Sequence, residues 1–213
     1  MDFVRPSRPV SLGFVSGRGH YETVITAVRN ARTSVWIATA NLKELMVEDL
    51  RWSARRRRPG ATSYRSVIEI FAELTAAGVE LRLLHAAPPS RPFREEFGRH
   101  PSLLGPRRAL RPLRASLPNE KGRFEMRLCP RVHLKAVIVD GAFLYLGSAN
   151  WTGAGLGAKG TGRRNFELGV VTDDALLLDD VQEVFDLIWR GAECKGCKLR
   201  TLCPRPLDVT ARP

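Results

Sequence analysis

The sequence predicts an α/β fold: a mixed, mostly parallel β-sheet with helices on both faces. Three observations lead there. Two amphipathic stretches, His20 to Arg32 and Val67 to Ala77, each feed an apolar strand-like run, the unit from which helix-connected parallel strands are built. A third segment, Val137 to Leu146, places two short apolar runs around Asp140-Gly141, the pattern of an antiparallel hairpin. With 213 residues the chain can bury one full domain and carry a small appendage.

The elements follow in order. Residues 1–17 are a Pro-rich, basic lead-in. The first helix carries Val24, Ile25, Val28 and Ala31 at helical spacing, and Ser34 to Ala40 follows as a buried strand. Leu42 to Leu50 reads as a helical piece, ended by a basic loop with Arg55, Arg56, Arg57, Arg58 and Pro59-Gly60, flanked by Trp52 and Tyr64. The second helix carries Ile68, Phe71, Ala72 and Leu74, stops at Gly78, and leads into a strand at 79–84. From Pro88 to Arg123 periodicity vanishes; the stretch, with Arg107, Arg108, Arg111 and Arg114, is expected to be a long basic loop beside a substrate channel. Phe124 to Cys129 and Phe166 to Thr172 read as strands. Asp173 to Arg190 places Leu177, Val181, Val184, Phe185, Ile188 and Trp189 on one helical stripe and ends at Gly191. The domain is thus expected over residues 18–190, with a Cys-rich tail over 191–213.

Lys and Arg total 34 against 22 Asp and Glu, a formal charge of +12. Such an excess fits a polyanionic partner, nucleic acid or an anionic lipid surface. The arginine clusters at 55–58 and 107–114 are candidate phosphate contacts, although such runs are also ordinary solvated surface. The opening MDFVRPSRPV has no apolar core of signal-peptide length and no later run approaches a membrane span. A cytoplasmic location without a membrane partner is the expectation.

Chemistry-bearing residues crowd into Arg131 to Glu167. Strand alternation sends His133 and Lys135 to one side and gives Asp140 the opposite parity. His133, Lys135, Asp140, Gly147, Ser148 and Asn150 stand as His-x-Lys, four residues, Asp, six residues, Gly-Ser-x-Asn. Any one of these alone reads as structural: a satisfied strand histidine, an asparagine ending a strand. Six at these intervals resemble the phospholipase D superfamily. The resemblance implies that His133 attacks phosphorus to give a phosphohistidine, while Lys135, Ser148 and Asn150 hold the nonbridging oxygens without a catalytic metal. It matches Asn165 and Glu167 to the Asn-x-Glu that follows the motif, with Glu167 hydrogen-bonding the histidine and setting its tautomer. Asp140 and Gly147 take structural roles.

The implied mechanism needs two histidines, one to attack and one to protonate the leaving group. The chain holds one motif, since His20, His85 and His100 have no lysine two residues on. A homodimer that brings two motifs together across a twofold axis is therefore expected, resembling the small bacterial endonucleases and the Zucchini-type nucleases. The function expected is a metal-independent phosphodiesterase acting as a nuclease. The alternatives are a phospholipase or phosphatidyl transferase, and a catalytically silent nucleic-acid-binding module; the basic 88–123 stretch favours nucleic acid.

Cys194, Cys197 and Cys203 occur as CKGCKLRTLCP, and Cys129 precedes the hairpin. A CxxC with a third cysteine nearby favours metal over disulfide in the expected compartment. Four thiolates are an ordinary zinc set. The spacing also resembles the C-terminal clamp of iron-sulfur nucleases, which implies a structural 4Fe-4S cluster completed by Cys129, with zinc as the alternative and unliganded thiols or a redox disulfide third.

Overall fold

The computed structural model describes residues 3–49, 63–104 and 123–210. Its strands are β1 (Gly13–Ser16), β2 (Ser34–Thr39), β3 (Met46–Glu48), β4 (Tyr64–Ser66), β5 (Glu80–His85), β6 (Phe124–Leu128), β7 (Ala136–Val139), β8 (Phe143–Gly147) and β9 (Leu168–Thr172). The helices are α1 (Gly19–Arg29), α2 (Val67–Ala76), α3 (Arg91–Gly98), α4 (Ala175–Trp189) and the single turn α5 (Leu207–Thr210). Seven strands form one sheet in the order β1-β9-β8-β7-β2-β5-β6, and β3 and β4 pair separately.

Alternation along the strands splits the core in two. In β2, Val35 and Ile37 face Val24, Ile25 and Val28 of α1 and Ile68 and Phe71 of α2. Trp36 and Ala38 point the other way, into a cluster with Phe185 and Trp189 of α4. Helices therefore cover both faces, as the sequence predicts. On the α4 side, Arg82 stacks over Trp36 at 4.5 Å from the ring centroid and pairs with Asp186 at 3.1 Å, so its charge is shared while its stem stays packed.

The expectation of a mostly parallel sheet is corrected in its pairing. Only β2–β5 and β5–β6 are parallel ladders, and the other four ladders are antiparallel. The physical reason is the hairpin: β7 lies antiparallel to β2, turns back through three residues into β8, and β9 and β1 continue by antiparallel pairing.

Three local expectations also change. Of the stretch expected as a helical piece, Leu42 to Asp49 is not helical: Leu45 and Val47 are buried while Met46 is exposed, a period of two, and Met46–Glu48 pairs with Tyr64–Ser66; Leu50 lies outside the described residues. Residues 13–16, expected in the lead-in, form the edge strand on β9. The stretch after Pro88 contains α3, whose cap Ser90 accepts from the Phe93 N–H and whose Phe93 and Phe97 stack at 6.1 Å. Arg55, Arg56, Arg57, Arg58, Arg107, Arg108, Arg111 and Arg114 lie outside the described residues.

The hairpin turn is built by Asp140 (φ 55°) and Gly141 (φ 62°), two consecutive left-handed residues that match the twist of the flanking strands. The Asp140 carboxylate accepts from the backbone N–H groups of Arg32, Thr33 and Ser34 and from the Thr33 hydroxyl. Burial pushes its pKa up, but these donors outweigh burial and hold it below the usual carboxylate value. Asp140→Ala is expected to destabilise the chain by about 2–4 kcal/mol, because several donors lose an ionised acceptor and alanine resists the left-handed turn. Since the folded pKa is depressed, this contribution is full above the unfolded carboxylate pKa, about 3.9. It fades as pH falls through the lower folded value. The gap between wild type and variant in urea unfolding should therefore be widest at neutral pH and narrow in acid to the part owed to the left-handed turn.

Candidate active site

The segment ahead of β7 is held by its even-numbered side chains. Val132, Leu134 and Ala136 pack into the α4-side cluster, while Val137 and Val139 enter the opposite core. His133 and Lys135 accordingly leave from the α1/α2 side, in an extended lead-in to the strand. The Gly147 N–H donates to the Lys135 carbonyl at 3.1 Å and carries the β7–β8 pairing one step further. His133 is exposed and hydrogen-bonds to no described residue. Burial lowers the Lys135 ammonium's pKa, and the nearby charge of Glu167 opposes that shift.

Across the end of the β8–β9 ladder stands a second group. The Ser148 N–H donates to the Leu168 carbonyl at 2.9 Å, and the Leu168 N–H donates to Ser148 Oγ at 3.1 Å. The Ser148 hydroxyl donates to the Glu167 carboxylate, whose other oxygen accepts from Asn165 Nδ2 at 3.0 Å. Glu167 is thus held by Ser148 and Asn165, where the resemblance implies His133 as its partner. The register explains this arrangement, since Gly147 opposite Gly169 leaves Ser148 facing Leu168, with Glu167 one residue beyond it and within reach of the Ser148 hydroxyl.

Asn150 is tied to the carboxyl end of β2. Its Oδ1 accepts from the Asn41 N–H at 3.0 Å, which leaves its Nδ2 donors uncommitted among the described residues. Thr39 directs the clamp: its hydroxyl donates to the Asn41 carbonyl at 2.9 Å and accepts from the Trp151 N–H at 2.9 Å. Asp140 sits at the opposite end of β7, away from this group.

Sequence reasoning missed the layer beneath. His20 of α1 is wholly buried; its Nε2–H donates to the Glu167 carbonyl at 3.0 Å, because a carbonyl only accepts. Nδ1 must then accept from the Tyr145 hydroxyl at 2.9 Å. Burial pushes the Tyr145 phenol up to about 12, so it remains a donor, and it accepts in turn from the Ala149 N–H. Space for this relay comes from the facing glycines. A Cβ on Gly169 would lie 2.6 Å from Tyr145 Cε2, and one on Gly147 would lie 2.7 Å from the Leu168 carbonyl oxygen. Gly147 is thereby explained by close approach. Tyr145→Phe leaves the buried Nδ1 without a donor and is expected to cost about 1–3 kcal/mol in urea unfolding.

The remaining histidines are committed elsewhere. His85 Nδ1 bonds the Ala87 carbonyl at 2.8 Å, with its pKa lowered by burial, and His100 pairs with Glu96 at 3.2 Å. His133 is the one imidazole with no hydrogen-bond partner among the described residues.

The four cysteines are also brought together. Cys129, after β6, and Cys194, Cys197 and Cys203 of the tail line one cavity of about 20 Å³. No three side chains of His, Cys, Asp or Glu already stand at metal-holding spacing among the described residues.

Comparisons with known proteins agree on the fold. A family model described as "Cardiolipin synthase, PLD-like domain" matches residues 24–189. Nuc from Salmonella typhimurium, a phospholipase D family member, superposes with a TM-score of 0.52 at 14% identity, covering 84% of this chain and 95% of its own. NucT from Helicobacter pylori gives 0.51 at 15% identity, covering 84% and 94%. TrmBL2, an archaeal chromatin protein with a novel mode of DNA binding, gives 0.50 at 12% identity, covering 84% of this chain and 52% of its own. No curated protein sequence matches the chain.

Proposed function

The chain belongs to the phospholipase D-like family, and from that premise we propose that it is a homodimeric, metal-independent phosphodiesterase that cleaves nucleic acid, with His133 as nucleophile. The observation that carries this reading is the state of His133: exposed, without a partner among the described residues and on the same side as Lys135, while every other histidine is engaged.

In the reaction proposed, a His133 ring nitrogen attacks phosphorus and the bond to the leaving oxygen breaks. That oxygen takes a proton from the His133 imidazolium of the other copy. Water, deprotonated by the same imidazole, then displaces the phosphohistidine and restores both rings. Lys135 and the Nδ2 of Asn150, uncommitted among the described residues, hold the nonbridging oxygens. Ser148 reaches them only by releasing Glu167, so the pair serves first to position the wall of the site.

The dimer is supported by the demand for a second histidine and by apolar exposure beside the motif. Phe166 is fully exposed, and Leu168 and Phe14 are 61% and 67% exposed. Val170 pairs with both Phe14 and Leu146 of the α4-side cluster, so Phe14 and Leu168 lie on the α4 face of the sheet edge, while Phe166 precedes the strand. Phe166→Asp combined with Leu168→Asp is expected to sediment as a monomer and to lose cleavage; an active monomer refutes the dimeric site.

Nucleic acid is favoured by the charge of +12 and by exposed Arg131, Lys159 and Arg163 on the segments leading to His133 and Glu167. The matched family's description, naming cardiolipin synthase, supports a second reading, transfer on a phospholipid headgroup. No described helix is long and apolar enough to cross a membrane. The full chain incubated in EDTA with labelled DNA, RNA and phosphatidylcholine vesicles separates the readings: cleavage of a nucleic acid supports the proposal, and turnover of the lipid alone replaces it with the second.

A further inference from the structure

We propose that Cys129, Cys194, Cys197 and Cys203 form a tetrathiolate site for a single thiophilic metal ion of the zinc class, which staples the tail to the strand leading into His133. The inference goes beyond the catalytic reading and does not depend on it.

Among its described residues the tail has no apolar core of its own. Between Gly191 and Leu207 there is no helix or strand, and its less exposed positions recur every third residue: Cys194, Cys197, Arg200, Cys203 and Pro206. Leu199 and Leu202, the segment's apolar side chains of any size, are 37% and 79% exposed. The side chains turned toward the domain are therefore thiols where a self-sufficient segment would place hydrophobic groups. Consecutive turns present them: the Cys194 N–H bonds the Gly191 carbonyl at 2.9 Å, Cys197 bonds Cys194 at 3.2 Å, and Cys203 bonds Arg200 at 3.3 Å. Gly191, at φ 75°, turns the chain back, and Arg200 pairs with Asp208 at 2.7 Å.

The cysteines also converge on one cavity. These are the four cysteines of the whole sequence, drawn from two distant stretches, and all are unbridged, partly buried and set around one cavity. Four cysteines are the ordinary ligand set for structural zinc. The cavity, about 20 Å³, has room for about one water-sized sphere. Cys129, Cys194 and Cys197 also line an adjoining cavity of about 350 Å³; zinc is taken as the ordinary occupant of four structural thiolates, and iron with sulfide is an outcome the test distinguishes. Because no three ligands already stand at coordination spacing, an ion must draw the sulfurs inward, which couples its binding to closure of the tail. Cys129 lies four residues before His133, and the Val132 N–H bonds the Cys129 carbonyl at 2.9 Å. Closure therefore tightens the turn from which the His133 segment departs.

The test is metal analysis of the reduced, anaerobically purified full chain, with Co²⁺ as a spectroscopic probe. The expected result is about one zinc per chain, a tetrahedral tetrathiolate spectrum with Co²⁺, and a tail that resists protease until a chelator is added. Cys129→Ser and Cys194→Ser should each lose stoichiometric zinc. Should those variants fail to fold, the Co²⁺ spectrum of the wild type still reports the number of thiolates. A reduced chain that takes up neither zinc nor cobalt overturns the proposal. So do iron with inorganic sulfide in place of zinc, fewer than four thiolates in the cobalt spectrum, or zinc retained by both serine variants.

Discussion

Replacing His133 with asparagine removes cleavage by about 10³-fold or more while leaving substrate binding within a few-fold of wild type. The size of the effect follows from the chemistry: asparagine offers no ring nitrogen to form the covalent intermediate and no group to protonate a leaving oxygen. Retained binding follows from the geometry, since His133 is exposed and hydrogen-bonds to no described residue, so its loss disturbs no packing. Lys135 behaves differently. Lys135→Ala removes positive charge beside both phosphate and Glu167, and both KM and kcat should suffer. Cleavage assayed alongside filter binding distinguishes the two variants; His133→Asn cleaving near the wild-type rate refutes the assigned nucleophile.

Mixed dimers give the second large effect. If each composite site uses the His133 of both copies, a wild-type chain paired with His133→Asn supplies either the nucleophile or the proton donor, never both. After unfolding and refolding an equimolar mixture, random pairing leaves about one quarter of dimers with two histidines, and activity should fall to about that fraction of an all-wild-type control. Independent sites, one per chain, would leave about half. The measurement is an initial rate against the mole fraction of mutant, curved for a shared site and straight for separate ones.

How far the sequence reveals this molecule depends on whether a contact is local. The hairpin is legible because Asp140-Gly141 between apolar runs has few other conformations, and because its turn residues lie at φ 55° and 62°. The stripe on α4 is legible because fifteen residues give a helical period room to show. α3 is hidden because one apolar pair, Phe93 and Phe97, is spread among charged residues and its cap lies just outside them. Leu42 to Leu50 misleads because Leu, Lys, Glu and Met favour a helix in isolation, whereas the pairing of β3 with β4 is a non-local contact.

The site divides along the same line. His133, Lys135, Ser148, Asn150 and Glu167 stand out by spacing. Their supports do not, because His20 meets Tyr145 across 125 residues and Thr39 meets Trp151 across 112. A signal was present at Gly147 and Gly169, two glycines in otherwise β-rich runs, each marking a place where another group passes closely. The bond between Ser148 and Glu167 was equally unreadable, since it depends on the register of β8 against β9.

The most direct measurement uses a substrate that belongs to no biological class. Bis(p-nitrophenyl) phosphate is a bare activated phosphodiester, and nitrophenolate release from it in excess EDTA reports only whether the chain cleaves such bonds without a metal. The account predicts steady release by the wild-type chain, insensitive to EDTA and absent from His133→Asn. Release that EDTA abolishes, or that proceeds equally in the two proteins, contradicts it.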